Sequence, residues 1–98
     1  MSRSKTRYKI VFQNSRIEQD WIALEGKFPD RVADCKDFLI NNPEDRRKAL
    51  GILKKLHGRH KGILQYDITK NDARVWYRVD RKGKLVIIKY AGHHPDKY

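Results

Sequence analysis

The segment from Arg74 to Tyr98 gathers the side chains best suited to act on a phosphodiester. It reads Arg74-Val75-Trp76-Tyr77-Arg78-Val79, a tight turn, Leu85-Val86-Ile87-Ile88-Lys89-Tyr90, then Ala91-Gly92-His93-His94-Pro95-Asp96-Lys97-Tyr98. RNA carries its own nucleophile, the 2′-hydroxyl. Cutting it without a metal calls for a base to take the 2′-OH proton and an acid to protonate the departing 5′-oxygen. It also calls for a cation to meet the charge that builds on phosphorus, and a flat group to hold an unstacked base. Guanidinium, imidazole and phenol in one short stretch supply these residue types.

Arg74 is expected at mid-sheet, beside Lys61, Gln65 and Asp67 of the preceding strand. It reads as a phosphate-facing cation or as a solvated strand arginine. An unperturbed imidazole titrates near neutrality, so His94 is a candidate acid or base, or an idle or helix-capping histidine. His93 next to it reads as a surface residue before a second catalytic group. Asp67 is a general base or the partner of a lysine. His60, in the basic loop Gly58-Arg59-His60-Lys61-Gly62, and His57, just before it, read as phosphate contacts or solvated residues rather than catalytic ones. Trp76 is either packed or stacked on a base, and Tyr98 is either a loose end or an aromatic contact. Lys61, Gln65, Arg78, His60, His93 and Trp76 complete the expected RNA-binding set. No His, Cys, Asp or Glu group has metal-ligand spacing, and the chain has neither a phosphate-binding glycine loop nor a nucleophile elbow, so no cofactor is expected.

The elements that must position these residues follow from periodicity. Tyr8 to Phe12 alternates as a strand. Ser15-Arg16-Ile17-Glu18 has capping-box form, and Ile17, Trp21 and Leu24 recur at helical spacing, with Gly26 as a stop. Pro29-Asp30 opens a second helix whose apolar face is Val32, Cys35, Phe38 and Leu39, and Asn41-Asn42-Pro43 closes it. From Asn42-Pro43-Glu44-Asp45 onward, Ala49, Ile52, Leu53 and Leu56 predict a short third helix. Three strands follow at about 63–68, 73–79 and 85–90, joined by Lys70-Asn71-Asp72 and Arg81-Lys82-Gly83-Lys84 into an antiparallel meander. In the middle strand Ala73, Val75, Tyr77 and Val79 share one face, and Arg74, Trp76 and Arg78 the other. The expected fold is α+β: an N-terminal strand, a helical hairpin and a meander, with the helices on one sheet face and the other face open.

Ninety-eight residues make one domain, with 1–6 expected to fray. Twenty-three Lys+Arg against twelve Asp+Glu give +11, which favours a polyanionic partner. A single cysteine excludes an internal disulfide and suits a reducing compartment, and its place on an apolar stripe makes Cys35 a core residue. The apolar run after the basic N-terminus is too short for a signal peptide, and Leu85 to Ile88 cannot span a membrane. A cytoplasmic protein is the expectation.

The order strand, helical hairpin, meander resembles the RelE/ParE superfamily of bacterial toxin–antitoxin toxins over nearly the whole chain. Its sharpest pieces are Lys61-Gly62 before a strand, Arg74-Val75-Trp76-Tyr77-Arg78-Val79, and Val86-Ile87-Ile88 before the histidine tail. The strand motif is common to cutting and non-cutting members. The tail from Gly92 to Tyr98 is similar to the Gly-Thr-His-x-x-x-Phe ending of the YafQ-type branch, which cleaves mRNA in the ribosomal A site. The resemblance implies that Arg74 acts on the scissile phosphate, His94 transfers a proton and Tyr98 orients the substrate. Asp67 lies where YafQ-type toxins carry a second catalytic histidine and RelE a lysine, so the second proton carrier is Asp67, His60 or absent. The implied activity is a ribosome-dependent mRNA endonuclease leaving a 2′,3′-cyclic phosphate. The implied partners are an acidic antitoxin, the ribosome and mRNA, with no membrane. The alternatives are a ParE-like, non-enzymatic inhibitor of DNA gyrase and a non-catalytic nucleic-acid-binding relative.

Overall fold

The computed structural model describes residues 7–45, 52–70 and 72–93. In chain order they form β1 (Lys9–Phe12), α1 (Ser15–Lys27), α2 (Pro29–Asn41), β2 (Leu53–Lys55), β3 (Leu64–Asp67), β4 (Ala73–Asp80) and β5 (Leu85–His93), with one 3-10 turn at Gly58–His60. The strands make a single five-stranded mixed sheet in the order β1-β5-β4-β3-β2. The β2 to β5 ladder is antiparallel, and β1 joins β5 in parallel, Ile10 opposite Val86.

Two amphipathic helices cover one face of that sheet. Ile17, Trp21 and Leu24 of α1 and Val32, Cys35, Phe38 and Leu39 of α2 are buried against Tyr66, Ala73, Val75, Tyr77, Val86, Ile88 and Ala91. Phe12 meets Trp21 edge-on at 5.8 Å, and Phe38 meets Tyr66 at 5.4 Å. Burial pushes the Cys35 thiol well above its usual range, which removes its thiolate and fits a packing role. Among the described residues no helix is long and apolar enough to cross a membrane.

Four details depart from the sequence expectation. The cap of α1 is Asn14, whose Oδ1 accepts from the Ile17 backbone N–H at 2.9 Å, one residue before the expected Ser15. The helix passes through Gly26 to Lys27 because Phe28 supplies the stop, its N–H donating to the Leu24 carbonyl. Leu53–Lys55 is an edge strand rather than the end of a third helix: Leu53 pairs with Tyr66 and turns into the core. The rest of that expected helix, 46–51, lies outside the described residues, as do 1–6. Lastly, β5 runs on to His93, three residues past the expected end, because Ala73 to Trp76 offer it partners that far.

Tyr77 is fully buried at the centre, and its hydroxyl donates to the Pro43 carbonyl, tying β4 to the end of α2. Tyr77→Phe leaves that carbonyl without its partner and is expected to cost about 1–3 kcal/mol, lowering Tm by roughly 5–20 °C in a domain of this size. A melt within about 2 °C of wild type would contradict the role of this tie. Burial, with smaller contributions from Cys35 and Asp34, pushes the Tyr66 phenol from 10.0 to about 12, and burial raises the Tyr77 phenol as well. The unfolded chain therefore sheds these protons first as pH rises, so their contribution to stability is intact below about pH 10 and falls above it. Thermal melts from neutral to alkaline pH test the sign, and Tyr66→Phe should flatten the alkaline limb.

Candidate active site

Strand periodicity and register build the site on the sheet face that the helices leave open. Arg74 of β4 lies between Asp67 of β3 and Gly92 of β5, and the next row toward the centre is Lys54, Gln65, Trp76 and Tyr90. On β5, Lys89 is an extra residue between the Trp76–Tyr90 and Tyr77–Ile88 pairs. This bulge breaks the alternation so that Ile88 and Ala91 both reach the core while Tyr90 packs on Trp76 at 5.4 Å.

Arg74 is only 8% exposed, although it sits on the uncovered face. Its Nε is 3.8 Å from Asp67 Oδ1, too long for a hydrogen bond, and that buried N–H has no hydrogen-bond partner among the described residues. Lys54 Nζ approaches the other carboxylate oxygen, Oδ2, at 3.5 Å. Asp67 Oδ1 accepts from Gln65 Nε2 at 3.0 Å, and Gln65 Oε1 accepts from Trp76 Nε1 at 2.9 Å. The His60 ring lies against Trp76 at 4.8 Å, carried there by the 3-10 turn. One carboxylate between two cations, beside a guanidinium with an unspent donor, is an arrangement able to hold an anion and move a proton next to it.

Arg74, Asp67, Gln65, Trp76 and His60 are therefore brought together. Lys61, Arg78 and His93 are elsewhere. Lys61 is not beside Arg74: Gly62, at φ +90°, turns the chain before β3 begins at Leu64, and Lys61 lines a cleft with Glu44, Lys55 and His57. Arg78 is exposed toward the β4–β5 turn, opposite Ile87. His93 pairs with Ala73 and falls on the helical side of the sheet, near Asp20, Ala23 and Lys27 of α1, with Nδ1 donating to the Asp72 carbonyl at 3.2 Å. Trp76 lies beneath the surface, 9% exposed, with His60 and Tyr90 against it. His94 and Tyr98 lie outside the described residues. Lys54 and Tyr90 belong to the cluster but not to the expected set. Lys54 was hidden in a segment with helical spacing, and Tyr90 is brought to Trp76 by a bulge that has no local sequence signal.

No family model and no curated protein sequence matches the chain. Solved structures do. The archaeal RelE–RelB complex from Pyrococcus horikoshii aligns at TM-score 0.67 with 22% identity, over 92% of this chain and 98% of that one. YafQ from E. coli aligns at 0.66 with 18% identity, over 90% and 94%. The YoeB–YefM complex from Staphylococcus aureus aligns at 0.63 with 24% identity, over 91% and 99%. The fold is that of the RelE/ParE toxins. Within this RelE-like fold the helical hairpin, the mixed sheet and the uncovered face that carries Arg74 are all formed by the described residues.

Proposed function

We propose that this protein is the toxin of a toxin–antitoxin pair and that it cleaves mRNA on the ribosome in the cytoplasm. The observation that carries the reading is Arg74: a guanidinium buried on an open sheet face, its Nε without a hydrogen-bond partner, set beside the Asp67 carboxylate. The Nε itself is closed off and turned toward Asp67, and a guanidinium held in this way has the planar fork that suits a phosphate oxygen at its outer edge. The fold shared with RelE, YafQ and YoeB supports a toxin, and the net charge of +11 suits both ribosomal RNA and an acidic antitoxin.

The chemistry is transesterification. The 2′-oxygen attacks phosphorus while Asp67 takes its proton. Arg74 and Lys54 meet the charge on the phosphorane oxygens. The bond from phosphorus to the 5′-oxygen breaks, and His94 protonates that oxygen as it leaves. The products are a 2′,3′-cyclic phosphate and a 5′-hydroxyl. Tyr98 orients the base. An acidic antitoxin, as RelB and YefM are partners in the solved complexes, covers the cationic face. The test maps mRNA 5′ ends after the protein is mixed with ribosomes stalled on a defined message. New ends inside the A-site codon that vanish with Arg74→Ala support the reading. An intact message sinks it and favours gyrase inhibition or simple RNA binding.

A further inference from the structure

Gln65 has no group that can exchange protons with RNA, yet it is held at the centre of the open face and is 3% exposed. Both ends of its amide are committed. An indole N–H can only donate, so the amide oxygen must face Trp76, where it accepts at 2.9 Å. The amide NH2 is thereby aimed at Asp67, donating to Oδ1 at 3.0 Å. Turning the amide over would set two donors against each other and leave a buried indole N–H unpaired. The relay from Trp76 through Gln65 to Asp67 therefore has one direction, and it ends at the oxygen nearest Arg74.

Resting on the reading of Arg74 and Asp67 given above, we propose that Gln65 is the positioning residue of this site. Oriented by Trp76, it fixes the Asp67 carboxylate so that one oxygen is presented as proton acceptor beside the phosphate. Without it the Asp67 carboxylate has, among the described residues, Lys54 and Arg74 at 3.5 and 3.8 Å, and can turn to pair with either. Lys54 is on an exposed edge strand and is a poor locator. Trp76 has His60 and Tyr90 packed against it, and Gln65 is 3% exposed, so their loss is felt in turnover and not in RNA affinity.

The experiment measures single-turnover cleavage of ribosome-bound mRNA by wild type, Gln65→Leu, Trp76→Phe, Asp67→Asn and the Gln65→Leu/Asp67→Asn double variant. Gln65→Leu should slow cleavage roughly 10-fold to 100-fold with half-saturation unchanged within about threefold, and Trp76→Phe should slow it less. In the Asp67→Asn background Gln65→Leu should cost under about twofold, because the carboxylate it positions is gone. Proton–nitrogen spectra give the readout that does not depend on cleavage. The Gln65 side-chain amide resonances should move in both Trp76→Phe and Asp67→Asn. If wild type cleaves but the two losses multiply, or the Gln65 amide signals stay put, the positioning role is overturned and the reading of Arg74 stands. If folded wild type cuts no RNA, that reading itself has failed.

Discussion

Arg74→Ala is expected to slow cleavage by about 10²–10³-fold and to lower stability, because Asp67 is left with Lys54 alone as its countercharge. Both halves follow from one geometry. A cation beside developing charge in a partly buried site is worth far more than the same group in water, so its removal is felt in the transition state. In the free protein the ion pair with Asp67 is long at 3.8 Å, yet both side chains are nearly buried, so removing the guanidinium leaves a carboxylate short of countercharge. Arg74→Met, which keeps the packing and discards the charge, should lower Tm less than Arg74→Ala and abolish cleavage equally. Arg74→Lys keeps a charge but loses the planar fork, and should recover only a small part of the rate. Rates within about threefold of wild type for Arg74→Ala, or a collapse in Tm, would assign the residue to the fold instead.

The helical hairpin and the heart of the sheet are legible in the sequence because their signals are local. Val32, Cys35, Phe38 and Leu39 repeat at the helical period and all four are buried. Period two on β4 puts Val75 and Tyr77 in the core and Arg74 and Trp76 on the other face, and the short turn after Thr69 sets Asp67 opposite Arg74. The rest depends on distant partners. Three residues are too few to show a strand period, so Leu53–Lys55 is masked by apolar spacing that reads as helix until β3 supplies a ladder. Nothing near Lys9 announces that it will pair with Leu85, and nothing near Lys89 announces a bulge. The site was partly readable for the same reason. Arg74 and Asp67 come from one hairpin, whereas Lys54 and Tyr90 arrive from strands whose pairing is set by the sheet as a whole.

Asp67 is the residue at which the chemistry can be separated from electrostatics. If the carboxylate only balances Arg74 and Lys54, removing its charge makes the face more cationic, and Asp67→Asn should bind RNA more tightly and cut it at least as fast. If it accepts the 2′-OH proton, Asp67→Asn should still bind more tightly but turn over about 10²–10⁴-fold more slowly. The expected signature is therefore a fall in half-saturation together with a fall in kcat, a pairing that loss of folding or of affinity does not produce. Single-turnover rates across a range of ribosome-bound mRNA concentrations resolve the two constants. Asparagine keeps an oxygen to accept from Gln65, so the Trp76–Gln65 link survives and the loss is specific to the missing base. A faster Asp67→Asn would identify Asp67 as a brake on the cationic site and move the search for the base to His60, which the 3-10 turn sets against Trp76 on the same face.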